Sequence, residues 1–336
     1  MATDLDALSR ALPAGLRARV ATDDDLDAMV GFANRWATPS QWQAPAAVRA
    51  MREASPEPLR LAIVVEGPSG IAATGVTSDG GLFRSGDGAW RINLRVAPEW
   101  QRRGIGGAML EPLEARVREN SGPRLIAAVR GTEPEGARFA QRHGYRAFHE
   151  RIDAYIDVPS FDPTPFEDPD ATARRLGIRL ATWGELLAEH ASDVEAFQRA
   201  LLPAIWQMAR DVPAPTPMPA EPPPFEQAKR MFFEGPGIDP GTTIIALRAG
   251  APIAVSVTMV KENGAAYTNF TGVVREERGK GIALALKLRA LRALKTRGVK
   301  LFGTTNDEQN AAMRGINRKM GYTPEAPTTM YEKKLT

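Results

Sequence analysis

Apolar and polar residues along this chain fall into blocks whose period switches between strand-like and helix-like. Leu59 to Gly67 (LRLAIVVEG) and Thr242 to Gly250 (TTIIALRAG) are nearly unbroken apolar runs closed by glycine, a pattern that predicts buried strands. Ile282, Leu284, Ala285, Leu286, Leu288, Leu291 and Leu294 recur at helical spacing and predict a helix buried along most of one side. A helix opened by acidic residues is predicted over 23–36, and MYEKKL from Met330 predicts a last strand. Strands and helices therefore alternate without segregating, so the expected class is α+β with a mixed sheet flanked by helices.

The pattern is written twice. VAPEWQRRGIGGAML from Val96 is matched by VVREERGKGIALAL from Val273, and QRHGY ending at Tyr145 by NRKMGY ending at Tyr322. Gln101 and Arg278, Gly104 and Gly281, Gly144 and Gly321, and Tyr145 and Tyr322 are all separated by the same 177 positions. Near the start of each half, RVAT (Arg19 to Thr22) is matched by RLAT (Arg179 to Thr182) at an offset of 160, so the second half carries about 17 extra residues. Val212 to Pro224, with seven prolines, houses that surplus as a semi-rigid extended loop. PSFDPTPFEDPDA from Pro159 reads as an exposed linker. The expected organisation is a first domain over 1–157, a linker over 158–174 and a second domain over 175–336.

Composition narrows the function classes. The chain has 336 residues, 43% hydrophobic and 25% charged, which suits two globular cores. Forty-three Lys and Arg against 40 Asp and Glu leave a formal charge of +3, too even for a nucleic-acid-binding stripe. No cysteine and three histidines leave no thiolate nucleophile and no expected metal centre. No apolar run reaches a membrane span, and the start, MATDLDALSRALPAGL, places acids where a secretory signal would be basic, so a cytoplasmic protein, monomeric or homodimeric, is expected.

Each half runs a strand through a glycine-rich turn into a helix. That geometry leaves the first helical N–H groups unpaired and aims a positive dipole end at the turn, which makes an anion site. Gly104, Gly106 and Gly107 in the first half, and Gly279 and Gly281 in the second, would let backbone approach a pyrophosphate, with Arg102, Arg103, Arg278 and Lys280 adding charge. A packing turn with solvated basic residues is the other reading. Met109 stands where the dinucleotide fingerprint needs its third glycine, and Val274 where a P-loop needs its first, so neither motif is present.

Both turns resemble the acetyl-CoA signature of the GNAT N-acetyltransferase superfamily, Gln/Arg-x-x-Gly-x-Gly/Ala. The first is Gln101-Arg102-Arg103-Gly104-Ile105-Gly106 after Val96, and the second Arg278-Gly279-Lys280-Gly281-Ile282-Ala283 after Val273. Asn306, Asn310, Gly321 and Tyr322 resemble the family's late strand and Asn-x-x-Ala helix, and the resemblance covers nearly all of both halves. It implies two tandem GNAT folds whose fourth and fifth strands splay to admit the pantetheine arm of acetyl-CoA. It further implies backbone N–H groups around Leu94 to Val96, or Thr271 to Val273, that polarise the thioester carbonyl while a small-molecule amine attacks directly.

The halves are not equal. The family's Tyr, seven residues after the Asn, is Asn317 in the second half and Ala140 in the first. Asn317 is open to two readings, a helix-surface residue or a group touching cofactor or substrate. The first half has Glu133 and Val129 where the second has Asn310 and Asn306, and Pro112 is expected to kink its Gly-started helix. The second half is therefore the expected catalytic one, with Asn317, Tyr331 and Asp307 as candidate catalytic groups. Trp206, Met208 and Asp211, just before the proline stretch, border the acceptor site in one reading and serve as core and turn cap in the other. A chain that binds acyl-CoA as a regulator or scaffold without turnover is the rival reading.

Overall fold

Runs of β-branched and aliphatic residues pair into strands, and the amphipathic segments between them lie across the resulting faces. The computed structural model describes residues 5–81 and 84–335. The first half runs α1 (Asp6–Ala11), β1 (Arg17–Val20), α2 (Leu26–Asn34), α3 (Pro45–Ala54), β2 (Leu61–Gly67), β3 (Gly70–Ser78), β4 (Trp90–Val96), α4 (Ile105–Glu119), β5 (Arg124–Arg130), α5 (Pro134–Arg142) and β6 (Arg146–Asp157). The second runs α6 (Pro169–Leu176), β7 (Arg179–Thr182), α7 (Trp183–Glu189), α8 (Val194–Arg210), α9 (Phe225–Phe232), β8 (Ile244–Arg248), β9 (Ala251–Val260), β10 (Ala265–Val273), α10 (Ile282–Thr296), β11 (Leu301–Asp307), α11 (Ala311–Lys319), β12 (Thr323–Pro324) and β13 (Thr328–Lys334). The matched RLAT segment forms the short strand β7, and RVAT runs from the end of β1 into the following turn. Two residues after β1, Thr22 donates its backbone N–H to Asp25 Oδ2 (2.7 Å), and Thr182 donates likewise to Glu185 Oε2 (2.7 Å), so both following helices begin on the same device.

The expected mixed sheets flanked by helices are present, and they are fused into one. Among the described residues the order is β1-β2-β3-β4-β5-β13-β6-β11-β10-β9-β8-β7, with β12 paired beside β6. Only β4–β5 and β10–β11 are parallel. The fusion is an exchange: β13, the last strand of the chain, lies between β5 and β6 of the first half, while residues 151–157 of β6 pair with β11 of the second. Loops are exchanged in the same sense. The segment between α2 and α3 reaches the β9–β10 turn, where Lys261 Nζ donates to Trp42 O (2.9 Å) and Asn263 Nδ2 to Pro39 O (3.3 Å). The proline stretch between α8 and α9 reaches the β3–β4 loop, where Gly86 N donates to Pro217 O (2.8 Å). The chain thus has the internal symmetry of a dimer whose two copies are joined.

Burial explains the apolar runs. On β2, Leu61, Ile63 and Val65 face a core with α4, while Ala62 and Val64 face Met29 of α2 on the other side, so no position is left for a polar residue. On β8, Ile245 and Leu247 face α8, and Ile244 and Ala246 face α10. Pro112 does not break its helix, because α4 runs through it to Glu119. Trp206 and Met208 belong to the α8 core, and Trp206 Nε1 donates to Ala220 O (3.3 Å), pinning the proline stretch.

The exchanged strand is fastened by a buried carboxylate. Glu114 on α4, its side chain 5% exposed, accepts from Lys333 Nζ of β13 at 2.7 Å through both oxygens and from Tyr145 OH at 3.1 Å. Replacing Glu114 with Ala leaves the lysine and the hydroxyl without their shared acceptor. The expected loss is about 3 kcal/mol of stability, read by denaturant titration, with the first half opening before the second.

Candidate active site

The parallel pair at the centre of each half opens into a cleft. In the second half, β10 and β11 pair from Ala265 and Leu301 only as far as Thr268 and Thr304. Between Thr268 and Phe270 the register of β10 against β9 shifts by a bulge, and from there β10 turns away. Val274 N donates to Ile253 O of β9 (2.9 Å); by alternation the N–H groups of Val273 and Thr271 point away from β9, into the opening. In the first half, β4 and β5 pair only through Trp90–Leu125 and Arg91–Ile126, and the same alternation from Ala97 N to Ala72 O (2.9 Å) aims Val96 and Leu94 into that opening.

Each cleft ends in a turn of the same construction. Gly104 and Gly281 are the residues before α4 and α10, both left-handed at φ +82° and +87°. Gln101 Nε2 donates to Val96 O, and Arg278 Nε to Val273 O, each at 3.0 Å. Two residues before the second left-handed glycine stands Gly279 at φ +78°, but its first-half counterpart is Arg102, held at φ +61°. A side chain at that angle is strained, so the first turn carries a conformational cost that the second avoids.

The turns differ in how their cations are held. Asp211, at the end of α8, takes Arg275 through two hydrogen bonds (2.6 and 2.9 Å) and Arg278 through one (2.6 Å). The hydrogen bond from Arg275 is the main cause that lowers its carboxyl to about 2. Rather than only capping a turn of its own, Asp211 thus ties α8 to the second glycine turn. Lys280 pairs with Glu277 (3.0 Å), which also takes Arg248. In the first half, Arg102 pairs with Glu135 (2.9 Å), Arg103 lies over the Trp100 ring (4.8 Å), and Gly106 and Gly107 make room for Phe139 of α5 and for His143 just after it.

The clefts differ most at their mouths. Glu133, before α5, takes Arg130 and also Arg95 of β4 (3.3 Å), so an ion pair crosses the first opening from one wall toward the other. At the matching positions the second half has Asn310, Asp307 and Gly272. Asn310 Oδ1 accepts from Met313 N (3.2 Å) and caps α11, and Gly272 leaves its place to Phe270 and Met208. Ile282 and Ala283 form the first turn of α10, with Ile282 in the core.

Of the three candidate catalytic residues, two stand on β11 and α11 of the second half and one does not. Asn317 is buried on α11 rather than on the helix surface. Asp307, beside buried Asn306, is paired with the buried His149 of β6 and accepts from Gln309 N (2.9 Å), so its carboxylate is already engaged across the seam between halves. Tyr331 lies on β13 opposite Ala127 and belongs to the first half's core. Sequence reasoning passed over Lys287, whose signal was a lysine inside the apolar stripe of α10. Among the described residues no group of His, Asp and Glu has the arrangement of a metal site, and no helix is long and apolar enough to cross a membrane.

Known proteins resemble this chain in sequence and in fold. Residues 26–145 match the acetyltransferase (GNAT) family. A mycothiol acetyltransferase of Geodermatophilus obscurus is 33% identical over 108 residues, 30% of this chain and 34% of that protein. One of Thermobispora bispora is 28% identical over 251 residues, 71% of this chain and 75% of that protein. Two solved structures share the fold along almost the whole chain. A GCN5-related N-acetyltransferase from Sphaerobacter thermophilus has a TM-score of 0.70 at 20% identity, with 96% of each chain covered. A tandem GNAT protein from the clavulanic acid biosynthesis pathway has 0.67 at 20% identity, covering 95% of this chain and 98% of that one. The first half thus matches the acetyltransferase (GNAT) family over residues 26–145, and the chain as a whole shares the fold of a tandem GNAT protein.

Proposed function

We propose that the second half transfers an acetyl group from acetyl-CoA to the amine of a small-molecule acceptor, and that the first half no longer does so. The observation that carries this reading is the contrast at the cleft mouths: Glu133 bridges to Arg95 in the first half, whereas the matching Asn310 and Gly272 of the second form no ion pair. The diphosphate would sit on the α10 N-terminus at Gly279, Lys280 and Gly281, taking Arg278 and Arg275 in competition with Asp211. The thioester carbonyl would accept from the Thr271 or Val273 N–H, which stabilises the oxygen as it gains charge. The amine nitrogen attacks the carbonyl carbon with no protein nucleophile, which suits a chain without cysteine. Asp307 is tied to His149, so water or another carboxylate would take the amine proton.

The test is a panel of amines with acetyl-CoA, reading released thiol with a thiol reagent; the protein itself contributes no thiol. The relatives' name puts mycothiol-type acceptors first in the panel, and because these carry a thiol of their own their acetylation is read as product mass. Turnover on any amine supports transfer, and binding without turnover across the panel supports the rival reading of an acyl-CoA regulator, which Asp307's engagement with His149 favours. A second experiment addresses the first half. Glu133→Asn removes the bridge to Arg95, and calorimetry is expected to find a second, weaker acetyl-CoA site, where the unaltered protein has one. Two sites in the unaltered protein would show that the bridge does not exclude cofactor.

A further inference from the structure

Lys287 lies mid-way along α10 with its side chain fully buried, and its ammonium nitrogen has no hydrogen-bond or ion-pair partner among the described residues. It stands 5.0 Å from the centroid of the Tyr322 ring and 5.8 Å from that of Phe302. The Tyr322 hydroxyl is also buried and unpartnered, as are both polar atoms of the Asn317 side chain. Asn317 adjoins Tyr322, whose N–H donates to its carbonyl (3.0 Å). The Thr268 hydroxyl, on the last rung before β10 and β11 part, completes the set. Phe302, under the lysine, is two residues before Thr304 on the same face of β11, so these groups lie around the closed end of the second cleft.

The first half shows what a structural version of this place looks like. Leu110 and Ala140 stand at the positions of Lys287 and Asn317, and the Tyr145 hydroxyl is satisfied by Glu114 with Lys333. In the second half, Leu291 replaces that glutamate. The register puts Ile156, opposite Phe302, where Lys333 stands opposite Leu125. Buried polar groups left without partners are rare because each is costly, and several together at the end of an open cleft mark a place that a ligand's polar atoms complete.

Resting on the reading of this cleft as the acetyl-CoA site, we propose that Lys287 protonates the sulfur of the departing CoA, with Asn317 positioning that sulfur. As the bond from acceptor nitrogen to carbonyl carbon forms and the carbon–sulfur bond breaks, the electron pair leaves on sulfur. The Lys287 ammonium gives one proton to it, yielding free thiol and a neutral amine. Water restores that proton when the cleft reopens, and the acceptor nitrogen releases one in turn. Burial alone lowers the Lys287 ammonium to about 7, and no charged side chain of α10, α11 or β11 opposes it; the titratable group facing it is the Tyr322 hydroxyl, itself pushed up by burial. An ammonium so weakened donates readily near neutrality.

The test uses CoA itself. Because the chain has no cysteine, ultraviolet thiolate absorbance of the complex, taken against the complex with desulfo-CoA, reports the bound thiol alone. The thiol is expected to ionise about one pH unit or more below that of free CoA, and K287M to return it to the free value or above. With an acceptor from the amine panel, K287M and K287R should both lose about 100-fold in kcat with KM for acetyl-CoA within about twofold, because arginine keeps the charge but cannot give up its proton. Equal ionisation in K287M and the unaltered protein, with CoA still bound through the Gly281 turn, overturns the role of Lys287 and leaves the acetyl-CoA reading standing. Loss of CoA binding in Gly104→Asp and not in Gly281→Asp removes that reading, and this role with it.

Discussion

Gly281→Asp is expected to weaken acetyl-CoA binding by at least about 100-fold while leaving the fold intact. Gly281 is left-handed at φ +87°, and a Cβ there would meet nothing within 4 Å, so the damage is conformational and electrostatic rather than steric. A side chain in the left-handed region costs about 1–2 kcal/mol. A carboxylate facing a diphosphate adds about 1–4 kcal/mol of repulsion at close range, and each 1.4 kcal/mol is about tenfold in affinity. Gly281→Ala isolates the conformational part and should cost about tenfold. Calorimetry gives both affinities, and a thermal melt close to that of the unaltered protein confirms that the fold persists. Gly104→Asp is expected to leave binding unchanged; the opposite ranking would move the working site to the first half.

The second large effect is a gain in stability. Lys287→Met fills the same volume without a charge, and the second half is expected to become more stable near and below neutral pH. In the unfolded chain a lysine titrates near 10.4, whereas burial holds Lys287 at about 7. Between those values the unfolded chain binds the proton that the folded chain lacks, so stability from this group rises with pH from about 7 to 10.4. Below 7 the full penalty, of order 4 kcal/mol, is present. Denaturant titrations at intervals across that window should show the rise in the unaltered protein and its loss in Lys287→Met. A variant that is less stable at pH 7, or that keeps the rise, would mean that Lys287 finds a partner in solution. A more stable, less active variant is the pattern expected of a strained functional group.

Much of this was written in the residue pattern. Unbroken apolar runs marked β2 and β8 because strands covered on both faces leave no polar position. The constant offset between Gly104 and Gly281 marked two turns, and both adopt the left-handed angle that glycine allows. Other features were out of reach. Asp211 is followed by Val-Pro and reads as a turn residue, yet it holds Arg275 and Arg278 from more than sixty positions along the chain. Asp307 reads as a free acid after a strand, and only the exchange of β6 brings His149 against it. Tyr331 belongs to the second half in sequence but packs in the first.

By itself, the sequence determined the duplication, the mixed class and the two glycine turns, because these rest on local spacing: helix period, strand alternation and glycine at fixed intervals. Tertiary structure alone decided which strand closes which half, that Glu133 bridges the first cleft, and that Lys287 stands unpaired at the closed end of the second. Pairing partners of a strand and neighbours of a buried charge are set by long-range register and burial. No local pattern encodes those, since one sequence motif serves equally in a cleft that is bridged and in one that is not.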